Sequence, residues 1–549
     1  MTLDDLHRGF RSDYLDHATL TEQLKLWQQT YPSLCRLESI GTTEEGRDIW
    51  MLTLGRDPDR IRPAVWVDGN MHAVELAGSS VALGIAEDVL RLHENPEGAG
   101  LSAPVTERLL DVLFYVVPRI SPDGAEAVLK TARYVRSVPR DARVDNQEPH
   151  WIAEDVDGDG QAFVMRKVDP AGELVESKDI PGLLVPRTID DERPFYKVYP
   201  EGRIENFDGH TIPDPYYLGD NDPDLNRNFP FDWAAEPKQA GAGPYPLSEI
   251  ESRAIVETVT ARPHIFAWLN LHTFGGVFIR PLGDGPDSKM EPTDLALYRQ
   301  LEAWATECTG YPTVSGFEQF TYVPETPLHG DLSDYAFRQR GAIAWVCELW
   351  DLFERVGLPK QKRFVDRYGH LETEDFVKIA RWDLECNEGR SMRPWTKFDH
   401  PQLGEVELGG VDPRFGMWNP PREELATVIA NQSKLFFRMA SLAPRLCIDD
   451  VHVERSGDVA TVTATIRNDG YLPTYVLASS KALPWNQPIF VRAAGEGVDL
   501  LDAAQSHREA GHLQGWGNGR FSGAGALFFQ RTRGTVSEKT LSWTVRGTV

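Results

Sequence analysis

The stretch VDGNMHAVE, residues 67–75, constrains the fold of this chain more than any other. The apolar run 64–67 predicts a buried strand, the residues DGN favour a turn, and the pattern over 75–92 predicts a helix. His72 and Glu75 are three positions apart at the expected start of that helix, so they would point an imidazole and a carboxylate at one place. Such a pair provides two of the three protein ligands of a catalytic zinc. An H-x-x-E pair alone is a weak indication, so a third ligand and a base are required elsewhere.

Strands and helices alternate along most of the first 440 residues. Because polar residues in open α/β sheets collect at the carboxyl ends of strands, we note that His72, His272 and Glu348 all follow or end apolar runs. The pattern predicts an α/β fold with a mixed sheet flanked by helices. The predicted strands lie at 39–55 (two strands), 64–67, 113–117, 264–271 and 342–349, and the predicted helices at about 20–31, 75–92, from 123 onward, and 422–441.

Residues 141–222 break this alternation and are rich in Asp, Pro and Gly, which predicts a polar, tightly turned insertion. Within it, Asp155, Asp157 and Asp159 match the first half of a calcium-binding loop. The twelfth position of that loop is Arg166, where a bidentate Glu is expected. A Ca²⁺ site is therefore the less favoured interpretation.

The character of the sequence changes again after Pro444. Alternating apolar and polar residues at 459–466 and 541–545, with turn residues between strands, predict a small all-β sandwich. We expect a catalytic domain over residues 1–443 and an accessory β-sandwich domain over 444–549.

Composition restricts the partners. The formal net charge of −26 would repel nucleic acid and anionic membrane surfaces. The five cysteines form no C-x-x-C motif and imply neither a disulfide framework nor a thiolate metal site. The N-terminus lacks a signal-peptide pattern and no apolar run reaches membrane-spanning length, so a cytoplasmic location is expected. The oligomeric state is not indicated.

Three later segments contain residue types suited to one reaction. In DLNRNFP, Asn226 and Arg227 offer an amide and a guanidinium fork, which suits bidentate capture of a carboxylate. LNLHTFGG contains His272 as a third ligand, and WVCELWD contains Glu348 as a candidate base.

Taken in order, these segments resemble the zinc carboxypeptidases of the M14, carboxypeptidase A-like, type. The resemblance covers most of residues 1–440 and rests on IGTTEEGRDI, HAVE, SPDG, DLNRNF, LHTFGG and CELWD. It implies one Zn²⁺ per chain, held by His72, Glu75 and His272, with Glu348 as general base. It also implies a terminal-carboxylate clamp of Asn226 and Arg227, Asp224 orienting the first zinc histidine, Tyr322 capping the substrate, and either Arg136 or Arg140 facing the oxyanion.

The sequence departs from the family pattern at a few positions. Many members have Arg where this chain has Val74, and the N-P-D-G motif has Ser121 at its first position. Tyr322 lies several residues early relative to Asp334, and Ser333 gives no clear side-chain preference.

The predicted function is that of a zinc-dependent metallocarboxypeptidase, a protease that hydrolyses the C-terminal bond of peptides with a free carboxylate. Two alternatives stay open. One is a zinc amidohydrolase that deacylates N-acyl amino acids, since DLNRNF also resembles the aspartoacylase group. The other is an inactive binding protein.

Overall fold

The computed structural model describes residues 3–140, 147–215, 223–495, 497–502, 506–517 and 533–547. The helices in these residues are α1 (His17–Thr30), α2 (Ala77–Glu94), α3 (Ala103–Leu110), α4 (Pro122–Thr131), α5 (Ile250–Thr260), α6 (Pro292–Thr309), α7 (Leu332–Asp334), α8 (Leu352–Arg355), α9 (Thr373–Cys386) and α10 (Leu425–Ala440). The strands of the first half are β1 (Cys35–Thr42), β2 (Asp48–Leu54), β3 (Ala64–Gly69), β4 (Leu113–Val117), β5 (His150–Ala153), β6 (Val164–Val168), β7 (Leu174–Glu176), β8 (Leu184–Pro186), β9 (Tyr196–Pro200), β10 (Gly202–Glu205) and β11 (Ile265–Thr273). Those of the second half are β12 (Val277–Arg280), β13 (Thr313–Ser315), β14 (Ile343–Leu349), β15 (Met392–His400), β16 (Gly404–Val411), β17 (Leu446–Ser456), β18 (Val459–Asn468), β19 (Ile489–Arg492), β20 (Val498–Leu500), β21 (His507–Gly511) and β22 (Glu538–Gly547).

A central mixed sheet organises the first part of the chain, in the order β1-β2-β4-β3-β11-β14-β12-β13. Its middle strands β4, β3, β11 and β14 are parallel, and both β3 and β11 are buried along their whole length. Strands buried on both faces read as continuous apolar runs, which is why they were visible in the sequence. Helix α10 packs on both α2 and α6, all three contact the sheet, and α1 and α5 pack against β1. The predicted mixed sheet flanked by helices is confirmed.

A second sheet was not predicted. It is antiparallel, in the order β15-β16-β6-β9-β7-β8, and we call it the insertion sheet. Much of residues 147–215, interpreted from the sequence as turns alone, forms its strands and the β5–β10 pair. Residues 141–146 and 216–222 of the predicted insertion lie outside the described part of the chain. The strands within residues 147–215, β6 to β9, are only three to five residues long, which is too short for a period-2 pattern to be recognised.

The C-terminal region is all-β, as predicted. One sheet runs in the order β17-β18-β22-β20, and β19 pairs with β21. Side chains of both sheets, including Ile466, Trp543 and Ala510, pack in one small core. A boundary at residue 443 stays a prediction. Of the helices described, none combines the length and the hydropathy that crossing a membrane requires.

Candidate metal centre and active site

His72 and Glu75 lie in a turn between β3 and α2. The prediction that they occupy the first turn of the helix was wrong, because α2 begins at Ala77. The Glu75 N–H donates to the carbonyl oxygen of His72 (3.1 Å), and the Asn70 side-chain amide donates to that same carbonyl (2.8 Å). Asn70 has a φ of +56°, which turns the chain immediately after the strand. The pair is therefore held by this turn and not by helical spacing.

The three predicted metal ligands meet at one point. His72 Nδ1 lies 2.8 Å from Glu75 Oε1, and His272 Nδ1 lies 2.9 Å from Glu75 Oε2. The two Nδ1 atoms are 3.1 Å apart. His272 reaches this point because β11 runs parallel to β3, which brings the carboxyl ends of both strands to the same edge. All three side chains are buried.

The hydrogen-bond partners of the histidines show that this group of atoms fits a metal ion. His72 Nε2 lies 3.1 Å from Asp224 Oδ1, and His272 Nε2 lies 2.6 Å from Asn270 Oδ1. Because each Nε2 faces an acceptor, the proton of each neutral ring belongs on Nε2, and each Nδ1 presents a lone pair. With these tautomers, two lone pairs and a carboxylate face one another, an arrangement that a metal cation would stabilise. Two imidazoles and one carboxylate are also a recognised ligand set of catalytic zinc.

The electrostatics of the cluster favour the ligand forms of two residues. Burial lowers the pKa of His272, which keeps its ring neutral. Burial opposes ionisation of Glu75, but the neighbouring His72 and His272 outweigh it and lower the pKa of Glu75. For His72, burial and Arg136 act to lower the pKa, and the carboxylates of Glu75 and Asp224 outweigh them and raise it. The two carboxylates thus flank His72, Glu75 at Nδ1 and Asp224 at Nε2.

Behind His272 lies a polar layer that the sequence did not reveal. Asp68 accepts hydrogen bonds from Asn270 Nδ2 (2.5 Å), Trp66 Nε1 (2.7 Å) and Trp268 Nε1 (2.8 Å). Burial raises the pKa of Asp68 to about 6, against the effect of these three donors. Since an ionised Asp68 can only accept, it holds the Nδ2 group of Asn270 towards itself and the Oδ1 atom of Asn270 towards His272.

The register of the sheet provides the one signal that could have found this layer. Asn270 precedes His272 by two positions on β11, and it pairs with Asp68 on the neighbouring strand β3. Residues at i and i+2 lie on the same face of a strand. An Asn two positions before a candidate ligand in an apolar strand therefore could have indicated a residue that orients the ligand.

Glu348 faces the cluster from the next strand. In the parallel pairing of β11 with β14, Glu348 lies directly opposite His272. Its side chain is partly exposed to the cavity described below. Burial and the charge of Glu75 raise the pKa of Glu348 well above its usual range, while Arg136 opposes that rise. Glu348 is therefore placed as a proton acceptor at the edge of the cluster.

The structure separates the two candidate arginines. Arg136 is buried beside the cluster, with its Nε 3.0 Å from Asp224 Oδ2 and its Nη1 3.8 Å from Glu75 Oε1. Arg140 instead binds Glu251 (3.0 Å) and Glu249 (3.1 Å). Its guanidinium is held by these two acids, so the alternative assignment of Arg140 to the oxyanion does not fit the structure.

A small pocket of about 60 Å³ adjoins the cluster and contains the predicted clamp. Asn226 Oδ1 accepts from the Leu332 N–H (2.9 Å), and Arg227 Nη1 donates to the Asn226 carbonyl oxygen (2.8 Å). Within the described part of the chain Arg227 makes no salt bridge, so its charge is available to a ligand. Tyr322, with 53% of its surface exposed, lines both this pocket and a larger cavity on the other side. Its capping role stays a prediction.

The three aspartates of the candidate calcium loop also lie close together. Asp155, Asp157 and Asp159 are exposed, and each accepts hydrogen bonds from backbone N–H groups of its own loop. Arg166, at the twelfth position, lies on β6 and pairs with Glu407 (2.6 Å). The loop contacts account for these carboxylates, and Ca²⁺ binding there stays a less favoured prediction.

Comparison with known proteins gives a family for most of the first 364 residues. A family model described as zinc carboxypeptidase, peptidase M14, matches residues 20–160 and 210–364. A second model, a domain of unknown function (DUF8731), matches residues 445–549.

Individual relatives match over shorter stretches. A zinc carboxypeptidase of Saccharothrix mutabilis subsp. capreolus is 30% identical over 133 residues, which cover 23% of this chain and 29% of that protein. An inactive metallocarboxypeptidase, ecm14, of Talaromyces marneffei is 30% identical over 132 residues, 22% of this chain and 21% of that protein. The chain thus spans about a third or less of the length of the curated relatives it matches. Bovine thrombin-activatable fibrinolysis inhibitor, solved in complex with tick carboxypeptidase inhibitor, aligns with a TM-score of 0.43 at 13% identity, over 79% of this chain and 98% of that one.

Proposed function

The chain belongs to the zinc carboxypeptidase family, and from that premise we propose that it is a zinc-dependent hydrolase that cleaves the amide bond next to a free terminal carboxylate. The observation that carries the proposal is the meeting of His72, Glu75 and His272 beside a pocket that Glu348 and Arg227 also line. A metal ligand set, a base and a carboxylate-binding group are the three parts that this reaction requires.

Zinc held by His72, Glu75 and His272 would supply Lewis acidity, which makes a water molecule acidic enough to lose a proton near pH 7. Glu348 receives that proton and passes it to the leaving nitrogen. The C–N bond breaks, the hydroxyl of water goes to the acyl carbon, and the proton goes to the amine. Glu348 is restored at the end of each turnover.

The remaining residues bind and orient the substrate. Arg227 and Asn226 hold the terminal carboxylate in the small pocket, which fixes the amide bond above the cluster. The guanidinium of Arg136 faces the place where the carbonyl oxygen becomes negative, and it is fixed there by Asp224. Asp224 also keeps the tautomer of His72 in which Nδ1 is unprotonated.

The experiment compares one peptide as its free acid and as its C-terminal amide, with zinc-loaded protein. We expect hydrolysis of the free acid and at least a hundredfold lower kcat/KM for the amide, because an amide cannot pair with Arg227. Equal rates for the two peptides would refute the carboxylate clamp and with it the exopeptidase function. Arg227→Ala serves as the matched variant, and it should raise the KM for the free acid while leaving the slow reaction of the amide unchanged.

Zinc content distinguishes an enzyme from an inactive binding protein. Elemental analysis should find about one zinc per chain in protein purified without chelator. Zinc at that level together with no cleavage of either peptide would favour the inactive alternative, which one relative's name makes relevant.

A further inference from the structure

A large apolar cavity opens from the same cluster on the side away from the clamp. It has a volume of about 590 Å³, within the range typical of sites that bind small molecules and far larger than the clamp pocket. His72, Glu75, Arg136 and Glu348 form one end of it. We call it the acyl cavity, and its position deepens the function proposed above, on which it rests.

Most of the wall of the acyl cavity comes from elements outside the central sheet. The insertion sheet contributes Val164, Val198 and Trp395, and α9 contributes Phe376 and Ile379. Beyond the catalytic end, the lining residues within the described ranges carry no formal charge. In a chain with a net charge of −26, a cavity of this size without charged walls is selective for apolar groups.

One wall of the cavity is held rigidly by a buried cation. The guanidinium of Arg166 lies 4.6 Å from the ring of Trp395 and 4.5 Å from the ring of Tyr196, and it pairs with Glu407 at 2.6 Å. Trp395 Nε1 also donates to the carbonyl oxygen of Gly182 (2.8 Å). The indole is thus fixed from two sides, so the cavity is a built feature of the fold.

The small pocket and the acyl cavity together define how a substrate is oriented in the site. Asn226 and Arg227 line only the small pocket, whereas Tyr322 and Glu348 line both cavities. If the terminal carboxylate lies against Arg227, the amide bond lies at the shared residues and the acyl side continues into the large cavity. We propose that the substrates carry a large apolar group on the acyl side of the scissile bond, either a long hydrocarbon chain or bulky apolar residues.

The test measures hydrolysis of N-acyl-alanines from acetyl to dodecanoyl by the zinc-loaded, full-length protein. We expect kcat/KM to rise by up to about fourfold for each added methylene, the factor that corresponds to burying a methylene, and to level off when the cavity is full. N-acetyl dipeptides with Gly or Phe before a C-terminal Ala form a second series. A steep rise in the first series alone indicates a hydrocarbon chain, and a preference for Phe alone indicates apolar residues. No dependence on the acyl group in either series would overturn the inference.

Two neighbouring positions of β9 give a matched pair of variants. Val198 lines the cavity, and Lys197, the preceding residue of the strand, points to the opposite face. Val198→Trp should remove most of the advantage of the long chain and leave acetyl-alanine unaffected, while Lys197→Trp should change neither. A loss of the advantage in both variants, or in neither, would contradict the assignment of this cavity.

Binding keeps this inference separate from the proposed function. The same acyl-alanines are titrated calorimetrically into the Glu348→Gln variant. This measurement reports binding and does not depend on hydrolysis. Tighter binding of longer chains there, with no hydrolysis by the unsubstituted protein, would refute the proposed enzyme and support the acyl cavity. Hydrolysis of all substrates without any chain-length effect would support the proposed enzyme and refute the acyl cavity.

Discussion

Asp68 does not contact the candidate metal ligands, but it orients Asn270 and thereby the ring of His272. The perturbation is Asp68→Asn, which keeps the shape of the side chain and replaces an acceptor by a donor. The remaining oxygen can keep both tryptophan N–H groups as donors, and the new NH2 group then faces the Nδ2 group of Asn270 unless Asn270 turns its amide over. After such a turn its Nδ2 faces His272 Nε2, and the ring must move its proton to Nδ1, the atom that faces the metal position.

The magnitudes separate an effect on metal binding from an effect on stability. The rise of the Asp68 pKa from 3.8 to about 6 means that the charged form is disfavoured by about 3 kcal/mol in the folded protein, and the variant is relieved of that cost. The same variant leaves one buried donor without a partner, which costs about 1–3 kcal/mol. The two nearly cancel, so the melting temperature without metal should change little. Loss of a supporting hydrogen bond lowers metal affinity about 10–100-fold.

The assay is competition for zinc against a chelator at pH 7.5, with thermal unfolding of the metal-free protein measured in parallel. We expect zinc affinity to fall at least tenfold. Trp66→Phe is the control, because Trp66 donates to the other oxygen of Asp68, which also accepts from Trp268. It should lower stability while leaving zinc affinity unchanged. Zinc affinity of Asp68→Asn within threefold of the unsubstituted protein would refute the reasoning.

Two further expectations concern the base and a buried histidine. Glu348→Gln should lower kcat by about 10²–10⁴-fold while zinc stays bound by elemental analysis, and substantial remaining activity would contradict the role of Glu348. The pKa of His264 is lowered to about 4 by burial and Arg262, and its Nε2 lies 2.9 Å from the Tyr115 hydroxyl. Below pH 6.5 His264 takes up a proton in the unfolded chain but stays neutral in the folded chain. The free energy of unfolding therefore falls as pH falls towards 4, by at most about 1.4 kcal/mol per pH unit. His264→Gln should flatten that part of the profile in urea unfolding at pH 7 and pH 5, and an unchanged slope would show that His264 does not contribute.

The central sheet could be predicted because its strands are buried on both faces. The run 113–117 was predicted as a strand with the same bounds that β4 has, and β11 and β14 each differ from prediction by a residue or two. The insertion sheet gave no such signal. Its strands β6 to β9 have only three to five residues each, and β6 pairs with β16 more than two hundred residues later, as Met165 does with Leu408. Local sequence contains no information about a partner at that distance.

The candidate site likewise contains residues that the sequence indicated and residues that it did not. His72 and Glu75 follow the end of β3, His272 is the second-last residue of β11, and all three have side chains that are rarely buried without a partner, so the sequence pointed to them. Asp68 and Asn270 lie inside strands among apolar residues, where a lone polar residue is hard to distinguish from a satisfied core position. The acyl cavity depends on packing between the insertion sheet and α9, and no motif encodes it.

Arg136 and Arg140 are four positions apart in a segment without helix or strand, so sequence spacing could not decide which of them faces the oxyanion. The structure allows the two assignments to be compared by experiment. Arg136→Gln removes a donor aimed at the developing oxyanion, and kcat should fall about 10²–10³-fold with little change in KM. It also removes the cation beside buried Asp224, so its unfolding temperature should fall as well. Arg140→Gln leaves Glu251, which is completely buried, without its cation, at a cost of about 3–5 kcal/mol in the free energy of unfolding. Its kcat, measured well below its lowered unfolding temperature, should stay within a factor of two or three of the unsubstituted value. If instead the folded Arg140→Gln protein lost catalysis while Arg136→Gln kept it, the guanidinium beside Asp224 would be a structural group only, and the oxyanion partner would have to be sought elsewhere in the cluster.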